Sequence, residues 1–169
     1  MERFRNSHLR FGVIAAAAVL ALDQASKLWL LYGFGLAHRG VVKVTPFFDL
    51  ALAWNVGISF GWFQNDSQLA QIGLMIIKAV AVIVLAIWMA RSRTLLATVA
   101  LGLIIGGAIG NAIDRFAYGA VVDFALFHVQ IGGITYNWYV FNLADVAIVA
   151  GVAALLYDSF LVVPAAKAP

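Results

Sequence analysis

The chain has no cysteine among its 169 residues, a single glutamate (Glu2), and charged side chains at only 11% of positions. Without cysteine there is no disulfide framework, no thiol nucleophile and no thiolate metal site. The three histidines, His8, His38 and His128, share no helical spacing, so neither a metal nor another cofactor is expected. A net charge of +3 spread along the chain offers no basic stripe for nucleic acid. What is present is hydrophobic side chain at 64% of positions and a mean hydropathy of +0.96, whereas an ordinary soluble domain has roughly 25% charged residues. The composition is that of an integral membrane protein, mainly α, and the length suits a single membrane-embedded domain over 1–169.

Four runs come near the roughly 20 residues that a helix needs to cross a bilayer. They cover about 11–32, 69–90, 94–113 and 139–163. Arg91-Ser92-Arg93 is short enough to force the second and third into an antiparallel hairpin. Arg3, Arg5, Arg10, Arg91, Arg93 and Lys167 fall on one side, and Arg39, Lys43 and Arg115 on the other. By the positive-inside bias both termini are cytoplasmic. The basic start followed by an apolar run has the look of a cleavable secretory signal, but the run continues past Asp23 and Lys27 into Leu28-Trp29-Leu30-Leu31 and reads as a retained helix.

The remaining segments, about 33–67 and 116–138, carry β-branched and aromatic runs such as Val41-Val42-Lys43-Val44, Phe47-Phe48-Asp49-Leu50 and Val121-Val122-Asp123-Phe124. With a hairpin turn expected at Gly132-Gly133, they predict a small extracytoplasmic β-rich cradle. Ile58, Phe60, Trp62 and Phe63 suit either a platform in the lipid interface or ordinary loop packing.

A carboxylate placed inside hydrocarbon costs about 2.5 kcal/mol or more even on lenient insertion scales, so Asp123 and Asp145, at the mouth of the bundle, are the first candidates for chemistry. Helix three carries Gly102, Gly106 and Gly110 at four-residue spacing, a stripe that lets a neighbouring helix approach closely. The stripe leads into Asn111, Asp114 and Arg115, which share one face of the helix end. In helix four Asn142 and Asp145 are three apart and also share a face, with Asp145 about 9 Å along the axis from Tyr139. Asp123 follows helix three by few residues and so lies on the same side of the membrane. Two carboxylates within about 3 Å of one another share a proton, one acting as base on a water and the other donating to a carbonyl oxygen. Spacing alone supports equally a structural alternative, in which Asp123 caps a turn and Asp145 pairs with Arg115. In helix one Asp23, Gln24, Ser26 and Lys27 cluster, and Asp23 and Lys27 are four apart in the favourable acid-first order, as a structural brace. Lys78 has no acid near it in sequence and is left to snorkel, face a wet groove or titrate low.

These residues carry a resemblance. Asp23-Gln24-Ala25-Ser26-Lys27, Asn55-Val56-Gly57-Ile58-Ser59-Phe60, the run from Gly106 through Asn111 to Asp114-Arg115, Val121-Val122-Asp123-Phe124, and Phe141-Asn142-Leu143-Ala144-Asp145 stand in the order found in lipoprotein signal peptidases, or signal peptidases II. The resemblance implies a bacterial inner-membrane aspartic endopeptidase, needing no metal or cofactor, that removes signal peptides from prolipoproteins by cutting before a diacylglyceryl-modified cysteine. It implies a multi-pass monomer whose active site faces the extracytoplasmic side and whose partners are prolipoproteins and membrane lipid. The positions matching the catalytic pair are Asp123 and Asp145. Those matching the family's other polar site residues are Asp23, Lys27, Asn55, Asn111, Asp114, Arg115 and Asn142, with Gly57 of the second motif counted beside them. Two departures are visible: many members have a proline shortly before the last motif, where this chain reads Trp138-Tyr139-Val140, and Val146 stands where serine or threonine often follows the second aspartate.

Two other classes fit parts of the pattern. A proton-coupled carrier would use Asp23, Lys78 and Asp145 as a relay, although no inverted repeat relates the halves. A non-catalytic assembly factor would use the glycine stripe and the aromatic loop for docking.

Overall fold

The computed structural model describes residues 2–57 and 68–161. Helix α1 (Glu2–Leu28) runs into a π-helical turn (Trp29–Gly33) and a 3-10 turn (Leu36–His38), followed by strands β1 (Val42–Thr45) and β2 (Phe48–Asn55). Helices α2 (Gln68–Arg91) and α3 (Leu95–Tyr118) form the expected hairpin, β3 (Val121–Ile131) and β4 (Ile134–Asn137) come next, and α4 (Leu143–Leu161) closes the described chain. Ile58, Phe60, Trp62 and Phe63 lie outside the described residues.

Helix α3 is the central post, and its glycines decide how close its neighbours come. A Cβ at Gly102 would overlap the Gly12 carbonyl of α1, and one at Gly106 would come within 2.5 Å of the Ala16 carbonyl. On the other side a Cβ at Gly107 would meet the Ala144 carbonyl of α4 at 2.5 Å. The glycine stripe therefore packs backbone against backbone, where dispersion replaces a hydrophobic force that lipid does not supply. Outward-facing side chains are apolar: Ile76, Ile77, Val80, Ile83 and Ile87 on α2, and Val149, Val152 and Leu156 on α4, are all exposed. That inside-out distribution is what a hydrocarbon solvent selects. Among the described residues, three helices are long and apolar enough to cross a membrane, over His8–Gly33, Leu95–Tyr118 and Leu143–Phe160.

The strands form one antiparallel sheet in the order β1-β2-β3-β4. Phe124 and Ala125 of β3 cluster with Leu30 of the π-helical turn and Leu36 of the 3-10 turn, with Phe48, Leu50 and Phe141 around them. Gly132 and Gly133, at φ of 60° and 82°, make the two-residue hairpin between β3 and β4, the conformation that primed turns demand and glycine adopts without strain.

Helix α1 starts at Glu2 and gives way to the π-helical turn after Leu28, where a span over about 11–32 is expected, and two boundaries nearer the site also differ from expectation. Helix α3 runs past residue 113 to Tyr118, because Asn111, Asp114 and Arg115 are interior helical residues. The helix stops only at Gly119, which takes φ +73° and donates its N–H to the Arg115 carbonyl. Helix α4 begins at Leu143, not near Tyr139. Phe141 instead exchanges backbone hydrogen bonds with Ala125 of β3. Asp145 consequently sits in the first turn of α4, and the expected 9 Å of helix before it does not exist.

Candidate active site

The start of α4 is built by its own motif. Asn142 Oδ1 accepts from the Asp145 N–H at 3.0 Å, and Asp145 Oδ2 accepts from the Asn142 N–H at 3.3 Å. This is a capping box written with asparagine and aspartate, and it satisfies two of the donors that a helix start leaves orphaned. Asn142 also turns its Nδ2 toward Asp123 Oδ1, at 2.6 Å. One residue thus starts the helix that carries Asp145 and holds the carboxylate of Asp123.

Asp123 reaches the same point from the sheet. Its partner across the ladder is Ala53, and a register shift between Leu50 and Ala53 precedes this pairing. Asn55, two residues beyond Ala53 and so on the same face, donates from Nδ2 to Asp123 Oδ2 at 3.0 Å. Asn55 Oδ1 is itself fixed by the Gly57 N–H at 3.0 Å, in a turn where Gly57 holds φ +94°.

Asn111 closes the ring. Its Nδ2 donates to Asp145 Oδ1 at 2.8 Å, while its Oδ1 accepts from Asn142 Nδ2 and from Lys27 Nζ, each at 3.1 Å. Because a lysine only donates, the Lys27 contact fixes which end of the Asn111 amide faces Asp145.

Lys27 is also the centre of a buried clamp. Its Nζ lies 2.8 Å from Asp23 Oδ2 and 2.7 Å from Asp114 Oδ2, and all three side chains are at most 2% exposed. The second oxygen of Asp23 accepts the Ala144 N–H at 3.0 Å, and Asp114 Oδ2 also accepts the Val122 N–H at 3.1 Å. Ala144 and Val122 are the residues immediately before Asp145 and Asp123. One ammonium therefore ties together two carboxylates, each pinning the backbone beside one member of the candidate pair. The expected Asp23–Lys27 brace exists, and it extends to the site itself.

Asp123 is 2% exposed. Burial pushes its carboxyl above the usual carboxylate range. The hydrogen bond from Asn55 opposes this, the charge of Asp145 adds to it, and Asn142 and Lys27 pull back down. A carboxyl whose affinity for a proton is raised beside a second carboxylate is the arrangement from which acid and base roles separate.

Comparison with known proteins supplies a family. Residues 15–161 match the model of the family described as signal peptidase (SPase) II. The chain belongs to that family. This signal peptidase II family member is 74% identical to the lipoprotein signal peptidase of Nitrobacter hamburgensis over 95% of its own length and 98% of the relative's. It is 70% identical to that of Rhodopseudomonas palustris strain TIE-1 over the same shares. A bacterial membrane enzyme solved by the in meso method at 2.3 Å resolution superposes with a TM-score of 0.71 at 25% identity, covering 94% of this chain and 92% of the other. The protein is thus a multi-pass membrane protein of a peptidase family.

Asp23, Lys27, Asn55, Asn111, Asp114, Asn142, Asp123 and Asp145 form one connected hydrogen-bond network. Gly57 and Arg115 meet at its rim, where a Cβ on Gly57 would come within 3.0 Å of Arg115 Nη1. The structural alternative of an Asp145–Arg115 ion pair is not what holds Asp145, whose oxygens take Asn111 and the Asn142 backbone. Asp123 lies inside a strand and caps no turn. Lys78 stands apart from the network.

Two participants were named in the sequence but given no role at the site. Gln24 donates from Nε2 to Asp114 Oδ1 at 2.9 Å and to the Gly110 carbonyl at 3.1 Å. Gly110 itself leaves the space that Asp23 occupies, since a Cβ there would come within 2.6 Å of Asp23 Oδ2. The available signals were the adjacency of Gln24 to Asp23 and the position of Gly110 one helical turn before Asp114.

Proposed function

We propose that this protein is an intramembrane aspartic endopeptidase that removes signal peptides from diacylglyceryl-modified prolipoproteins, cutting before the lipidated cysteine. The observation that carries the reading is the convergence of Asp123 and Asp145 on Asn142 and Asn111, with the Asp123 carboxyl raised first by burial and further by the neighbouring carboxylate. Asp123 holds the proton, and Asp145, partly exposed at the first turn of α4, faces the water. Asp145 takes a proton from that water as it attacks the scissile carbonyl, while Asp123 donates to the carbonyl oxygen. The tetrahedral intermediate collapses with a proton passed to the leaving amine, which restores the starting pair.

The peptide must be extended to expose the bond, and free edges of an outer sheet supply backbone partners for an extended segment. Asn55, Asn111 and Asn142 serve polar groups that have no water at that depth. In this reading four helices cross the bacterial inner membrane, both termini are cytoplasmic, the site opens outward, and the active unit is a monomer. A diacylglyceryl-modified prolipoprotein incubated with purified protein in lipid should be cut before the modified cysteine. The Asp123→Asn and Asp145→Asn variants, folded to the same helical content, should be slower by about 10²–10⁴-fold. Wild-type turnover by either variant would sink the dyad.

A further inference from the structure

The charge left unused by the network above is Lys78. It lines a groove of about 550 Å³ between α2 and α3, whose walls are Ala79, Val82, Ile83, Ala108, Ile109 and Ile113. The same groove is lined by Arg115, so two cations face one apolar space. Among the described residues neither is in an ion pair, and Arg115 Nε is buried without a hydrogen-bond partner. Ile83, Ile113 and Phe116 along the groove are exposed, so it opens sideways to whatever surrounds the helices, which in a membrane is acyl chain.

Two cations facing an otherwise apolar, lipid-open groove are an unfavourable arrangement in the absence of an anion. Among the described residues no carboxylate pairs with either cation, and Asp114 is committed to Lys27, Gln24 and Val122. An anion carried by the surrounding lipid would complete the arrangement. Arginine and lysine together suit a phosphate: the guanidinium presents a planar fork of donors, and the ammonium acts as a mobile point charge on a stem that can lie along apolar surface. We propose that the groove between α2 and α3 binds an anionic glycerophospholipid, with one acyl chain along Val82, Ile83, Ala108 and Ile109 and the phosphate held by Lys78 and Arg115. A diacylglyceryl group, which has no phosphate, satisfies the walls of this groove but not its charges.

The test counts bound lipid. Purified protein in a neutral detergent is titrated with phosphatidylglycerol, phosphatidylcholine and diacylglycerol of identical acyl chains, and retention is read by native mass spectrometry. Phosphatidylglycerol should be retained about tenfold more strongly than either neutral competitor, a difference that one charge-assisted contact supplies. Lys78→Leu, which places an apolar helix-former against an apolar wall and so keeps the helix, should remove that preference, and Lys78→Arg should restore it. Equal retention of all three lipids, stronger retention of diacylglycerol, or an unchanged preference in a folded Lys78→Leu variant would each overturn the proposal. Because the readout is bound lipid and not cleavage, its failure leaves the assignment of the dyad untouched.

Discussion

The two halves of α3 use the same residue for different ends. Around Gly102 and Gly106 the missing side chain admits the backbone of α1, and the product is apolar contact. Around Gly110, one turn beyond Gly106, the missing side chain admits the carboxylate of Asp23. That carboxylate then reaches the first turn of α4 and meets Lys27. Close approach in the first region is the purpose of the packing. In the second it makes room for a buried, fully partnered charge cluster, which is affordable in a bilayer only when every donor and acceptor is met.

That contrast can be broken most forcefully at Lys27. Lys27→Met removes the only cation between Asp23 and Asp114 in the described clamp, and stranding buried carboxylates should destabilise the protein by about 3–5 kcal/mol. Thermal unfolding in detergent measures it, and a loss below about 1 kcal/mol would mean that the clamp is not what holds the outer end together.

The glycines sharpen the contrast. Gly110→Ala and Gly102→Ala should each destabilise by about 1–3 kcal/mol through overpacking. Gly110→Ala, by displacing Asp23 from the Ala144 N–H, should also lower cleavage per folded molecule, whereas Gly102→Ala should lower the folded fraction and leave that ratio near wild type. Cleavage normalised to folded protein separates the two, and equal behaviour would erase the distinction between the halves.

A smaller effect is expected at Asn55. Its hydrogen bond opposes the upward push on Asp123, so Asn55→Ala should raise that carboxyl further. If Asp123 is the proton donor, the alkaline limb of the pH dependence of kcat/KM moves to higher pH, and a limb that stays put or moves down contradicts the assignment.

The same direction fixes a stability trend. A carboxyl raised in the folded state contributes stability that is complete below its unfolded pKa and is lost as pH rises through the folded value. Wild type should lose stability over that interval, and Asp123→Asn should lack this component of the decline. Melting temperature against pH for the two proteins reads the difference.

Much of this site was legible because its chemistry is carried by short motifs on regular elements. The Asp23–Lys27 pair, the glycine stripe, the Gly132-Gly133 turn and the shared face of Asn142 and Asp145 all follow from periodicity. What was not legible depends on contacts between distant segments. Asp23 accepts from Ala144, and Asp114 from both Lys27 and Gln24, pairings that no spacing encodes. The polar run at Asn111, Asp114 and Arg115 imitated a helix end because its partners on α1 were invisible in the sequence. Tyr139 and Val140 extended the apolar run of α4, yet that stretch is drawn into backbone pairing with β3 through Phe141. Burial of a carboxylate would not have singled out the pair either: Asp49 is buried in the sheet, 3.1 Å from His128 Nε2, and takes no part in the network.

The most direct test of the central claim is a double-mutant cycle on cleavage of a diacylglyceryl-modified prolipoprotein, using Asp123→Asn, Asp145→Asn and the combined variant at matched helical content. Residues that act as one unit lose function together. The account predicts that either single substitution slows cleavage by about 10²–10⁴-fold and that the double variant is hardly slower than the worse single. Losses that multiply, or one single variant that turns over like wild type, would contradict it.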